Sequence, residues 1–274
     1  MEIGKKVKIE KIRASSGSEI LQDIIPSELF LTIVLNNNTV SIISCSPQNL
    51  TELTIGYLIN NDYIEKYSDI NIINFCEDLL VKKKSGTILN ARIDVNCKKI
   101  NLKNLKYPKF VSPACGSTDE FILQKSLPRI KSKIRVRPEV ILKLNTETVN
   151  RQKYKKEFGG LHSAALFDND GNILFLMEDI GRHNCIDKIT GRMLINKMEF
   201  SDKILFTTGR LSLDVVYKIC RMSVPVIVTN SSITFSAVTL AKKMNLTAIG
   251  YARSGRFNIY SNAGRIVKEQ ETVL

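Results

Sequence analysis

Residues 158–191 read FGGLHSAALFDNDGNILFLMEDIGRHNCIDKITG, and this stretch decides the fold of the second half of the chain. Two apolar runs, Ser163 to Phe167 and Asn172 to Met177, flank Asp168-Asn169-Asp170-Gly171. Asp, Asn and Gly supply the turn conformations that close an antiparallel hairpin. The second run ends in Glu178-Asp179-Ile180-Gly181-Arg182-His183-Asn184, where only Ile180 is apolar. A strand ending in such a cluster delivers functional groups to a sheet edge. Asn184 can cap the helix that follows, Asp187 falls in its first turn, and Ile186, Ile189, Met193 and Leu194 recur at helical spacing.

Downstream the pattern alternates. Lys203 to Thr208 reads as a strand, Ser212 to Arg221 as a helix and Val224 to Thr229 as a strand. Thr234 to Lys243 reads as a helix and Thr247 to Ala252 as a strand. Alternation at this spacing predicts a mostly parallel sheet covered by helices, with ligands at the carboxyl ends of its strands. Upstream, Arg137-Pro138 to Lys155 reads as a helix with a weak apolar stripe at Val140, Leu144, Thr148 and Val149.

The first part is less regular. Residues 1 to about 28 are polar and basic. Glu28 to Leu35 and Val40 to Ser44 flank the turn Asn36 to Thr39, giving a hairpin. Ser46-Pro47 opens a helix carrying Leu50, Leu53, Thr54, Tyr57 and Leu58. Short strands are expected near Ile70 to Phe75, Leu79 to Val81 and Ala91 to Val95, with Lys82 to Gly86 as a polar turn. The expected division is an α+β region at 1–109 and an α/β domain at 110–274.

The chain has 274 residues, is 43% hydrophobic and can bury a sizeable core. Its net charge of +13 points to anionic partners or, equally, to a lysine-rich solvated surface. The six cysteines form no CxxC pair, Met1 is followed by polar sequence, and no apolar run is long enough to span a membrane. A cytoplasmic protein with reduced thiols is expected. Cys45, Cys76 and Cys97 read as small packing residues. Cys115 is different. Ser117 and Glu120 have capping-box spacing, so Cys115 sits just outside a helix start, and Lys125, Arg129, Lys131, Lys133, Arg135 and Arg137 follow. Unpaired amides and basic neighbours favour a thiolate.

Three apolar segments of the second domain end close to Gly-Arg: Gly181-Arg182, Gly209-Arg210 and Gly255-Arg256. Glycine lets the backbone approach a ligand, and arginine offers a planar fork to phosphate or carboxylate. Two of the three precede helix starts. If their strands are neighbours, the arginines meet on one rim, and a phosphate-bearing ligand follows. Gly191-Arg192 lies inside a helix and carries no such meaning. His162 and His183, beside glycines at strand borders, join the candidate binding set with Asn184.

Zinc is not expected, because two histidines and scattered cysteines give no metal spacing and His162 is followed by Ser163 and Ala164. A cysteine hydrolase using Cys115 has the residue types but no recognisable nucleophile motif. An RNA-binding module lacks a stacking motif, with aromatic residues at 7% and no tryptophan.

FGGLHSAALF (158–167), EDIGRHNCIDKITG (178–191), TGRLSLDVVYKICRMSVP (208–225) and AIGYARSGRFNIYS (248–261) occur in that order. Together they resemble the FdhD family of formate dehydrogenase accessory sulfurtransferases, over about Cys115 to Ser261. The resemblance implies a cytidine-deaminase-like α/β domain, a mixed sheet covered by helices, without zinc chemistry and with a smaller N-terminal α+β region. It also implies a sulfur relay from a cysteine desulfurase to the molybdenum bis(molybdopterin guanine dinucleotide) cofactor of formate dehydrogenase, in a homodimer. The family's loop motif falls on Cys115 as persulfide carrier. Its cofactor segment falls on Tyr251, Ala252, Arg253, Ser254, Gly255 and Arg256. Many members carry CxxC in the loop; here the second position is Thr118, so steps using a second thiol are in question. Cys185 stands where alanine is more usual and reads as packing.

Overall fold

The structure, a computed structural model, describes residues 2–15, 17–77, 87–95, 109–111 and 127–267. The chain begins with a ribbon, β1 (Gly4–Arg13) and β2 (Gly17–Pro26), paired antiparallel from Gly4↔Pro26 to Arg13↔Gly17. Among the described residues the two strands pair only with each other. Most of their residues face water, which is why a polar, basic sequence forms them without the alternation that marks a half-buried strand. The polar, basic character read for residues 1 to about 28 thus belongs to a strand ribbon.

β3 (Leu29–Leu35) and β4 (Asn38–Cys45) form the expected hairpin. Asn36 and Asn37 take φ of 44° and 64°, the left-handed pair that a tight hairpin turn demands and asparagine tolerates. The helix expected from Ser46-Pro47 starts later, as α1 (Leu50–Asn60), because Asn49 is left-handed and Ser46 is bonded elsewhere. β5 (Ile70–Glu77), β6 (Thr87–Val95) and β7 (Lys109–Val111) complete a sheet of order β5-β6-β3-β4-β7. Leu53, Tyr57 and Leu58 of α1 pack on Leu29, Leu31, Ile33 and Leu35. The strand expected at Leu79 to Val81 and its turn, together with Cys97 and Cys115 and its capping box, lie outside the described residues.

Residues 127–267 build a second layered unit. Its elements are α2 (Pro138–Arg151), α3 (Tyr154–Phe158), β8 (His162–Phe167), β9 (Ile173–Asp179) and α4 (Arg182–Ile195). They continue as β10 (Ile204–Thr207), α5 (Leu213–Met222), β11 (Val226–Thr229), α6 (Phe235–Met244), β12 (Thr247–Arg253) and β13 (Arg256–Ser261). The sheet order is β13-β12-β11-β10-β8-β9. β9, β10, β11 and β12 run one way, while β8 and β13 run against them. The sheet is therefore mixed, as the family resemblance implies, and its parallel part is β10-β11-β12, where strands and helices alternate.

Strand alternation sends Phe167, Phe206, Val228 and Ile249 to one face, under Val140, Ile141 and Leu144 of α2. It sends Ala164, Leu205, Ile227 and Ala248 to the other, under α4, α5 and α6. The single helix expected from Arg137 to Lys155 is two. Gln152 leaves the helix and donates Nε2–H to Ser163 Oγ at 3.0 Å. The Glu178 carboxylate then accepts the amides of Lys153, Tyr154 and Lys155 at 2.9, 3.1 and 2.8 Å, which starts α3.

The two sheets are joined through α1 and α4. A Cβ on Gly56 would lie 1.8 Å from the Asp187 carbonyl oxygen, and one on Gly191 2.0 Å from that of Glu52. Backbone meets backbone, so only glycine fits at either point. Gly191 thus has a packing role that its sequence context did not suggest. Beside the crossing, Asn60 Nδ2 donates to Asp187 Oδ1 at 2.7 Å and to Thr190 Oγ1 at 2.9 Å. Lys218 Nζ sits 2.5 Å from Asp187 Oδ2, and Arg192 pairs with Glu52 at 2.9 Å.

Candidate functional site

The carboxyl ends of β9, β10, β11 and β12 and the amino end of β8 make one rim. His162 opens β8 opposite Asp179 at the end of β9. Ser163 N–H donates to Thr208 Oγ1 at 3.0 Å and Thr208 N–H to the Ser163 carbonyl at 2.9 Å, which ties the end of β10 to the same place. Each of these two strand ends runs into a Gly-Arg pair. A Cβ on Gly209 would meet Arg182 Cβ at 2.8 Å and Cδ at 3.1 Å, so the stem of Arg182 lies across Gly209. These two Gly-Arg turns touch even though β8 separates their strands. Arg182 is half-buried and Arg210 exposed.

Gly255-Arg256 is placed differently. It closes the β12–β13 hairpin, where Arg253 pairs with Arg256 and Ser254 and Gly255 take φ of 52° and 73°. Val228 pairs with Ile249, so β11 ends while β12 continues past it. Tyr251 N–H donates to the Ser231 carbonyl at 2.9 Å at the point of departure. Ala252 is buried in the core under α2, Tyr251 is half-buried, and Arg253, Ser254, Gly255 and Arg256 are exposed at the hairpin tip.

The polar cluster after β9 divides by direction. Asp179 turns inward. Its Oδ1 accepts from Gly181 N–H and Asn184 Nδ2, both at 2.8 Å, and its Oδ2 accepts from Ser46 N–H at 3.1 Å. Lys188 Nζ lies 2.6 Å from Oδ2, and both side chains are wholly buried. Asn184 also donates to the Ser44 carbonyl at 2.8 Å. Gly181 is the residue that precedes α4, so the expected cap at Asn184 is corrected: it is the third residue of the helix, braced between the two sheets. The inward partners Ser44 and Ser46 lie more than a hundred residues away, which hides this role from local sequence.

Arg182 and His162 remain at the rim, and His183 lies just beneath it. His183 is buried, with Nε2 at 2.5 Å from Asp214 Oδ2, so it joins the first turns of α4 and α5. Burial pulls the His183 imidazole below the ordinary histidine range and Asp214 pulls it up; with Lys218 and Arg182 nearby, the net direction is down. Burial would raise the Asp214 carboxyl, but His183, the Ser212 hydroxyl and the Val215 amide outweigh it and hold it well below the usual carboxylate range. His162 is pushed below 6.5 first by burial and then by Lys155, Arg182 and His183. Burial thus holds both histidines below the ordinary imidazole range, beside the cationic side chains of Arg182 and Lys155.

A folded-state value below that of the unfolded chain means that the unfolded chain takes up the proton first as pH falls. Stability should therefore drop as pH falls from about 6.5 toward the folded value of His162, and His162→Gln should remove that share. With two histidines in the chain, NMR separates their titrations directly. A His162 midpoint above 6.5 would refute the sign.

Cys45, Cys185 and Cys220 are buried free thiols. Burial pushes Cys220 up to about 12 and raises Cys45 and Cys185 far above the ordinary thiol range. They stay protonated and unreactive, as packing residues do. Cys76 is half-buried. Among the described residues, no group of three or more His, Cys, Asp and Glu is arranged to hold a metal, and no helix is long and apolar enough to cross a membrane. β7 runs parallel to β4 with Val111 opposite Ile43, so it ends on the side where Ser46 meets Asp179.

The fold and the motifs both have known counterparts. A crystal structure from Desulfotalea psychrophila, described as a formate dehydrogenase accessory protein, superposes with a TM-score of 0.77 at 22% identity, over 97% of this chain and 100% of that one. Proteins named sulfur carrier protein FdhD from Staphylococcus aureus, in strains MRSA252 and Newman, are 33% identical over 249 residues, covering 89% of this chain and 90% of theirs. The model of the FdhD/NarQ family matches residues 26–267. With a match that spans both sheets and the whole rim, the chain belongs to the FdhD/NarQ family.

Proposed function

We propose that this chain is a sulfurtransferase of formate dehydrogenase maturation. Cys115 takes sulfur from a cysteine desulfurase and passes it to the molybdenum bis(molybdopterin guanine dinucleotide) cofactor, which is the substrate. The observation that carries this reading is the 33% identity, over most of both chains, to proteins named sulfur carriers. The uptake step balances simply. The Cys115 thiolate attacks the outer sulfur of the donor persulfide; that S–S bond breaks, the donor leaves as thiolate, and a new S–S bond forms on Cys115. Arg182, Arg210 and Arg256 then supply planar forks for the phosphates of the guanine dinucleotide ends, with His162, Tyr251 and Arg253 around them, while His183 and Ala252 are buried beneath and support that surface. The touching Gly-Arg turns support this assignment, as does the end of β7 on the side of Asp179.

On this reading the mixed sheet is a cytidine-deaminase-like frame that works without zinc. The protein meets the desulfurase and the dehydrogenase in the cytoplasm, where thiols stay reduced. A second reading, a chaperone that binds the cofactor without moving sulfur, is favoured by Thr118 alone, since it removes the second thiol of the loop. One experiment separates them. Incubated with a cysteine desulfurase and cysteine, the protein should gain one sulfur atom on Cys115 by mass spectrometry, and Cys115→Ala should fail to mature formate dehydrogenase. Sulfur on Cys185 or Cys220 instead, or full maturation by Cys115→Ala, would leave the chaperone.

A further inference from the structure

We propose that Phe235 is the stacking platform for the purine base of the nucleotide bound at the rim. The inference rests on the nucleotide-binding part of the function proposed above. Phe235 is the first residue of α6 and is 87% exposed, the most exposed large hydrophobic side chain among the described residues. Nothing in the helix requires it. Thr234 already caps α6 through Ala237 N–H, and the first helical position commonly holds a polar residue or proline. An aromatic ring of this size leaves a large apolar area in water unless something covers it.

Its position identifies what covers it. The β10–α5 and β11–α6 loops are tied together where Leu211 N–H donates to the Ser232 carbonyl and Thr234 N–H to the Leu211 carbonyl, both at 3.0 Å. Arg210 comes one residue before Leu211, and Phe235 one residue after Thr234. Tyr251 N–H reaches the Ser231 carbonyl of the same loop, which brings the root of the Arg253–Arg256 hairpin alongside. Arg210 and Phe235 thus leave two loops that are bonded to each other beyond the carboxyl ends of β10 and β11, on the rim proposed to hold phosphates. Charge complementarity selects an anion, and the ring selects one with a flat aromatic part; a nucleotide has both. Stacking is tolerant of base identity, so Phe235 supplies affinity and orientation.

The backbone under the ring is fixed. Val238 N–H donates to the Thr234 carbonyl at 3.0 Å, and Thr239 Oγ1 to the Phe235 carbonyl at 3.2 Å. The helix start therefore fixes the backbone from which the ring is presented.

The chain contains no tryptophan, so Phe235→Trp creates a single fluorophore at the point in question. GDP and inorganic pyrophosphate are the probes, with calorimetry on the wild type as reference. Phe235→Ala should weaken GDP about tenfold and leave pyrophosphate unchanged. Phe235→Trp should keep GDP affinity, and its emission should be quenched by GDP but not by pyrophosphate. Undiminished GDP binding by Phe235→Ala, or equal quenching by the two probes, overturns the stacking role while leaving the rim intact. Failure of the wild type to bind either probe overturns the nucleotide rim and the stacking role with it.

Discussion

Asp179→Ala should cost about 3–5 kcal/mol of folding stability, as removal of one partner from a buried ion pair does. Asp179 and Lys188 are both wholly buried. With the carboxylate gone, the ammonium retains, among the described residues, only the Glu178 carbonyl at 3.4 Å. The reverse deletion is milder. Lys188→Met leaves Asp179 with three neutral donors, from Ser46, Gly181 and Asn184. Denaturant titration should therefore rank Asp179→Ala below Lys188→Met, and the first should lose roughly 10 °C or more in Tm. A Lys188→Met protein as damaged as Asp179→Ala, or more, would show that the donors around Asp179 do not hold it.

Gly56→Ala and Gly191→Ala should each destabilise by about 3 kcal/mol, at the upper end for overpacking. The sign is the informative part. A glycine inside a helix ordinarily gains roughly 0.5–1 kcal/mol on replacement by alanine. Here the new methyl carbon would stand 1.8 or 2.0 Å from a backbone oxygen of the facing helix, so α1 and α4 must separate. Separation strains Asn60, Asp187 and Lys218 beside the crossing. Because one separation accommodates both methyl groups, the double variant should cost less than the two single costs added. Neutral or stabilised single variants in urea titrations would refute the close crossing.

The parts of the fold that were legible are those where a short local signal sets the geometry. The Asp168 to Gly171 turn and the strands around it follow from residue types alone. So do α5, α6 and β10 to β12, whose apolar faces show their periods plainly. β1 and β2 were hidden because a ribbon wet on both faces has no apolar alternation. β13 was hidden because RFNIYS is short and mostly exposed. The break between α2 and α3 depends on Glu178, about two dozen residues away in sequence.

Site residues follow the same rule. Gly181-Arg182 and Gly209-Arg210 were readable as strand-end pairs, and β9 and β10 bring them together. Gly255-Arg256 looked equivalent and is a hairpin turn. Glu178, Asp179 and Asn184 looked like chemistry because charge clusters after strands usually are. Their partners, at Lys153 to Lys155, Ser44, Ser46 and Lys188, show them to be internal bracing. His183 shares that ambiguity, and Asp214 gave no sign in the sequence that it would face it. Phe235 passed as one apolar residue of a helix, since exposure cannot be read from residue type.

The seam of Asn60, Asp187, Thr190 and Lys218 makes the two halves inseparable as expression units. Cut between them, and the C-terminal piece would bare a strip of charged and hydroxyl groups along one helix while the N-terminal piece would lose the cover on α1. Domain-swapped chimeras between relatives should therefore exchange α1 and α4 as a matched set, or they will not fold.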